Sequence, residues 1–163
     1  MSRWGKTDFR DLKKLTNNID NYLKTTQILE EVAKELTARL LGKVIPRTPV
    51  GQYPKSSGKV GGTLRRGWTS DSAESAKSGK NIDVATFVEN LEVNKTDSYV
   101  EVTIINPVEY ASFVEQGHRT RNHQGWVPGR HMLRISVNEL QAESPKIIKK
   151  KIEKELREVF KWI

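Results

Sequence analysis

The chain contains no cysteine, which removes a disulfide framework, thiolate metal sites and a cysteine nucleophile together. No apolar run approaches the roughly 18 residues of a membrane-spanning helix, so no membrane partner is expected. The start, Met1 to Asp8, has no hydrophobic stretch of a secretory leader. Aromatic residues are 7% and hydrophobic residues 36% of 163, against 29% charged. A typical domain has ~45–50% apolar content. One domain spanning 1–163 is affordable at this length, but part of it must sit in exposed loops or complete its burial against another subunit.

Acid is missing from two stretches. Between Lys43 and Thr69 there are six bases and no Asp or Glu: Lys43, Arg47, Lys55, Lys59, Arg65 and Arg66. Between Gln116 and Asn138 there is again no acid, with Arg119, Arg121, Arg130, Arg134 and all three histidines. The formal net charge of +8 is therefore local, because the remainder of the chain nets −2. A concentrated basic surface fits nucleic acid, an acidic protein partner or an anionic small molecule.

The first third reads as helix, over about 8–45. Phe9, Leu12, Leu15, Ile19, Tyr22 and Leu23 recur near helical spacing, and Ile28, Leu29, Val32, Leu36, Leu40 and Leu41 trace an apolar stripe. Thr7-Asp8 offers a start, Asn17-Asn18 or Asp20-Asn21 a break, and Pro46 with Pro49 a stop. Residues 46–67 hold ten Pro, Gly and Ser residues and read as a mobile loop, with Leu64 to Thr69 a short strand leaving it and Ser70 to Asn81 a polar linker. Val84, Thr86 and Val88 with Leu91-Glu92-Val93, and then Tyr99 to Ile105, read as two strands joined by a turn over 94–98. These, with a short helix from Val108 to Gln116 capped by Gly117 as a left-handed residue, make a unit over 64–117. Tyr110, Phe113 and Val114 are expected to face the sheet. A basic loop over 118–129 follows, then C-terminal helices over 130–162, the second starting at Ser144-Pro145 and running to about Trp162. The predicted class is α+β: a small antiparallel sheet packed by an N-terminal helix, a short central helix and C-terminal helices.

Catalytic chemistry finds little support. His118, His123 and His131, with Glu109 and Glu115 upstream, match neither the two-histidine helical-turn motif nor a structural zinc-ligand spacing, and the four nearby arginines repel a divalent cation. There is no Gly-x-Ser-x-Gly elbow, and Gly58 to Gly62 lacks the Gly-Lys-Ser/Thr ending of a phosphate loop. No catalytic residue, metal or cofactor is expected. Nonspecific DNA binding through the two basic loops is the stronger alternative, since Arg65, Arg66 and Trp68, and Arg119, Arg121, Trp126 and Arg130, join guanidinium groups to indoles. No helix-turn-helix, zinc-finger or RRM signature accompanies them.

Four segments in order carry a resemblance: Pro46-Arg47-Thr48-Pro49-Val50; Gly61-Gly62-Thr63-Leu64-Arg65-Arg66-Gly67-Trp68; Val108-Glu109-Tyr110-Ala111-Ser112-Phe113-Val114-Glu115-Gln116-Gly117-His118; and Trp126-Val127-Pro128-Gly129-Arg130-His131-Met132-Leu133. Together they resemble the minor tail, or tail-completion, proteins of long-tailed bacteriophages and prophages, which work at the head–tail junction. That family commonly runs from the Thr-Pro-Val turn straight into the glycine before Leu-Arg-Arg, whereas here Gly51 to Val60 intervenes. The resemblance implies a non-enzymatic virion protein, assembled in the bacterial cytoplasm as an oligomeric ring against neighbouring neck or tail-tube proteins, with nonspecific DNA contact open. Arg47, Lys55, Lys59, Arg65, Arg66, Arg119, Arg121 and Arg130 are then the candidates for interface or polyanion contact. Pro49, Leu64, Trp68, Tyr110, Glu115, Gly117, Trp126 and Pro128 are the structural motif positions.

Overall fold

The computed structural model describes residues 10–59, 61–96 and 99–160. The expected start at Thr7-Asp8, the end at Trp162 and part of the 94–98 turn lie outside the described residues. Two long helices form the frame. Helix α1 spans Arg10–Arg47 without a break at 17–21, and α6 spans Met132–Phe160. They run antiparallel and are clamped by ion pairs: Lys43 to Glu139 (3.3 Å) and Glu143 (2.9 Å), Arg47 to Glu139 (2.7 Å), and Lys151 to Glu31 (2.8 Å). Most of these partners are half-exposed, so the pairs fix register more than they add stability.

Each long helix tolerates a proline. Pro46 sits in the last turn of α1, one residue before its end at Arg47; the next residue, Thr48, closes it, its N–H and hydroxyl both donating to the Val44 carbonyl (3.0 and 2.8 Å). The expected break at Ser144-Pro145 is absent: α6 runs through it. Pro145 cannot donate to the carbonyl four residues back, and the Ser144 hydroxyl donates to that Gln141 carbonyl instead (3.1 Å).

Between the frame helices the chain folds into short pieces. Helix α2 is Thr63–Arg66 and continues as a 3₁₀ turn, Gly67–Thr69, where a strand was expected. The expected polar linker contains α3, Ala73–Lys77, started by Ser72, whose side chain accepts from Ser75 N–H. The first expected strand is instead helix α4, Val84–Glu89. Asp83 caps it, accepting from the Thr86 N–H (3.0 Å) and hydroxyl (2.6 Å), which holds the Asp83 carboxyl below its ordinary range. Strand content shrinks accordingly. Strands β1 (Asn94–Lys95) and β2 (Val100–Glu101) pair antiparallel, Asn94 opposite Glu101. Helix α5 is Ala111–Gln116. Strands β3 (Gly117–Arg119) and β4 (Trp126–Pro128) form a second two-stranded sheet rather than a loop. The class is α+β, with two small antiparallel sheets in place of one.

The core sits where the C-terminal half of α1 meets these short helices and the start of α6: Leu41, Val44, Leu64, Trp68, Ala76, Val88, Val108 and Met132. Trp68 is its anchor, 3% exposed.

Candidate functional site

A short glycine junction builds the projecting part of the molecule. Gly117 ends α5 with φ 89° and ψ 168°, a region open essentially to glycine alone. Its φ is positive as expected, but its ψ is extended, so it starts β3 rather than forming a left-handed cap. A Cβ on Gly117 would lie 2.5 Å from the Val127 carbonyl oxygen, and one on Gly129 would strike the Glu115 carbonyl. The chain re-enters the body beside its point of exit: Arg130 N–H donates to Val114 O (2.8 Å) and His131 N–H to Glu115 O (3.1 Å). The Glu115 carboxylate then caps α6, accepting from Leu133 N–H (2.9 Å) and Arg134 N–H (3.0 Å). Nothing in the local spacing announces this role, because Glu115 caps a helix that begins seventeen residues later.

From that junction the β3–β4 hairpin stands off, with Gly117 opposite Pro128, His118 opposite Val127 and Arg119 opposite Trp126. Its tip is closed by Thr120, whose N–H donates to Gly125 O (3.0 Å) and whose hydroxyl accepts from Gly125 N–H (2.9 Å). Almost every residue from His118 to Pro128 is exposed, Trp126 to 60%. Phe113, on α5 beside the hairpin, is 56% exposed and meets the His118 ring edge-on at 6.0 Å. Tyr110 and Phe113 were expected to face a sheet; both are exposed, and of the three Val114 alone packs on the core.

The candidate cations divide into two groups. Arg65 donates to the Thr48 carbonyl through Nη2 (2.8 Å) and Nε (3.2 Å), tying down the C-terminal end of α1. Arg66 donates to Ala76 O (2.9 Å) and Gly61 O (3.2 Å), with Nη2 buried and without a hydrogen-bond partner among the described residues. Arg47 holds Glu139 and Ser136 on α6. The others face outward. Lys55 and Lys59 lie in the exposed 51–59 segment, the Lys59 ammonium 5.8 Å from the Tyr53 ring centre. Arg119, Arg121 and Arg130 are exposed on the hairpin or at its base, without an ion pair among the described residues.

The remaining motif positions divide among the core, a pocket and the hairpin. Leu64 and Trp68 are buried. Pro49, Leu64, Tyr110 and Val114 line a pocket of about 240 Å³ together with Val50, Gly51, Tyr53 and Gly61 to Thr63. Burial raises the Tyr110 hydroxyl pKa, and Tyr53 adds to the rise while Arg66 opposes it. Trp126 and Pro128 belong to the hairpin. Among the described residues no cluster of His, Asp and Glu converges as a metal cage, and no helix is long and apolar enough to cross a membrane.

A small α+β body with one protruding aromatic and basic hairpin is the class these features define. A family model described as "Bacteriophage HK97-gp10, putative tail-component" matches residues 13–117. The match covers more than half of the chain, which therefore belongs to the HK97-gp10-like family and is a structural tail component of a phage, located in the virion. No curated protein and no solved structure matches it. Nonspecific DNA binding gains no support from this match, and the internal bonds of Arg47, Arg65 and Arg66 thin the first of the two basic groups on which it drew.

Proposed function

We propose that this tail component completes the tail and joins it to the head, as one subunit of a closed ring that touches neighbouring neck or tail-tube proteins. It works without catalysis and assembles in the cytoplasm of the bacterial host. The observation that supports this reading is the β3–β4 hairpin, exposed on both faces. A lone two-stranded hairpin is marginal in water, and Trp126, Val127 and Phe113 beside three arginines that have no ion pair among the described residues make a surface suited to protein contact. Rings close through heterologous contacts, in which a projecting element of one subunit meets a different face of the next.

The test is Arg119→Glu/Arg121→Glu. Both side chains are exposed, so stability should move by no more than about 0.5 kcal/mol. Head–tail joining in vitro should fail, because like charges across a contact cost several kcal/mol. Unchanged melting with unchanged joining overturns the reading. Native mass spectrometry of the wild-type protein checks the ring directly.

A further inference from the structure

Two β elements of this chain are unfinished, and they are opposite in charge. The first is the β3–β4 hairpin. The second begins at β2: exposure alternates along 101–106, with Glu101, Thr103 and Ile105 outward and Val102, Ile104 and Asn106 half-buried. That is the pattern of a strand with one face on a body, and Ile104 does pack on the core. Yet β2 pairs over Val100 and Glu101 alone, and Thr103 to Ile105 have no partner strand among the described residues. Ile105 is 69% exposed and Tyr99, on the same face, 58%.

Charge separates the two. Residues 70–109 hold eight acids and three bases, whereas 116–138 hold four arginines and no acid. Asn94 pairs with Glu101, so Glu92, two residues earlier, falls on the same face by strand alternation; both carboxylates are exposed. Neither has an ion pair among the described residues, and the same is true of Arg119 and Arg121.

We infer that the hairpin of one copy adds to the 101–105 strand of the next copy, Arg119 and Arg121 meeting Glu92 and Glu101 while Trp126, which shares the Arg119 face, covers Ile105 and Tyr99. The occupant is a second copy of this chain, because this chain carries both halves. An exposed, unpaired strand is a template for strand addition from another chain. The two halves differ, so the contact is heterologous and propagates from copy to copy instead of stopping at a dimer. The inference rests on the ring reading and supplies its interface.

Two variants remove one half each: Arg119→Glu/Arg121→Glu and Glu92→Lys/Glu101→Lys. By analytical ultracentrifugation each should self-associate about 100-fold more weakly than wild type. The protein carrying all four substitutions should recover most of the lost association, a result that damage to the fold cannot imitate. Since the chain has no cysteine, the Ile105→Cys/Trp126→Cys variant should form disulfide-linked ladders beyond the dimer under mild oxidation. Either single cysteine should stop at dimers. If wild-type rings form but neither the charge exchange nor the cysteine pair responds, this interface is wrong and the ring stands. If the wild-type protein stays monomeric at all concentrations, with and without tail tubes, the ring reading falls and this interface with it.

Discussion

The indole Nε1 of Trp68 donates to the Thr48 hydroxyl at 2.8 Å, joining the core anchor to the residue that closes α1. Thr48 is fully buried, and its hydroxyl in turn donates a hydrogen bond to Val44 O; its carbonyl accepts from Arg65. The two halves of the motif that opens the resemblance thus meet in space, one supplying the helix end and the other the indole and guanidinium that lock it. Thr48→Val removes the acceptor and leaves the indole N–H buried and unpaired, at about 1–3 kcal/mol. Trp68→Ala should cost about 3–5 kcal/mol through the cavity it leaves. Urea unfolding of both variants measures the difference, and an unperturbed Thr48→Val would show that the bond contributes little.

Gly117 separates two causes of strain. Gly117→Ala must hold a side chain at φ 89° and also place its Cβ against backbone atoms of Val127 and Gly129, which cannot rotate aside. The loss should reach at least about 2 kcal/mol. Gly58 also has positive φ, at 63°, but opens onto empty space, so Gly58→Ala should cost only about 1 kcal/mol. Thermal unfolding of the pair tests this, and equal losses would mean that the hairpin base relaxes freely.

That both ends of the chain are helical, and the α+β class, were legible because the apolar spacing is repeated over many turns: Val32 and Leu41 on α1 and Met132 on α6 are buried where periodicity puts them, although Leu29 of the same stripe is exposed and the breaks expected at 17–21 and 144–145 are absent. Helix α4 was misread for an instructive reason. Val84, Thr86 and Val88 alternate like a strand, but Val84, Phe87, Val88 and Leu91 also recur at helical spacing, and these four pack on the core. The Asp83 cap decides between the two patterns. The Tyr99 to Ile105 strand was read from true alternation, yet among the described residues it finds a partner strand over two residues only. Nor could the hairpin be foreseen, since its tip is closed by Thr120 and Asn122 side chains rather than by an Asn-Gly turn. The roles of Arg65, Glu115 and Thr48 depend on partners 17 to 20 residues away, a distance at which local pattern carries no signal.

Acid should loosen the frame and α4 together. Hydrogen bonds from Thr86 lower the Asp83 carboxyl, and Lys95 and Lys34 lower Glu30. Burial pushes Glu139 up, but Lys43 and Arg47 outweigh it and hold it below its ordinary value. Carboxyls lowered by folding stabilise the fold above their unfolded values, about 4 to 4.5, and lose that contribution as pH falls through their folded values. Lys43 and Lys151 are raised, by Glu143 and Glu31 respectively; their contribution is complete below about 10.5 and lost as pH climbs through the folded values. Stability should therefore plateau between about pH 5 and 10. Asp83→Asn keeps a capping oxygen without the titration, so its unfolding free energy should fall less steeply below pH 4. An identical acid limb would remove Asp83 from the account.

Residues 51–59 are exposed throughout and contribute nothing to the core. Brief trypsin treatment of the free protein should cut first at Lys55 or Lys59 among internal sites, since short exposed segments with few apolar anchors open at little cost. The assembled tail should protect the same bonds if this insertion docks against a neighbour. First cleavage within α1 or α6 instead would mean that the frame opens more readily than the loop.

Glu115 offers a test of how the hairpin is held to the body. Its carboxylate accepts from Leu133 and Arg134 N–H, while its own carbonyl accepts from His131 N–H. One residue therefore fixes both the start of α6 and the return of the chain from the hairpin. Glu115→Ala removes the side-chain bonds and spares the carbonyl, and by comparison with other helix caps it should cost about 0.5–2 kcal/mol. Glu115→Gln keeps an acceptor but loses the charge that favours a helix N-terminus, a smaller loss of about 0.3–1 kcal/mol. The site-specific readout is amide exchange: Leu133 and Arg134 should exchange faster in the order wild type, Gln, Ala, with His131 much less affected. If all three amides accelerate equally, the substitution has loosened the whole junction, and Glu115 is then a support for the hairpin rather than a cap for α6.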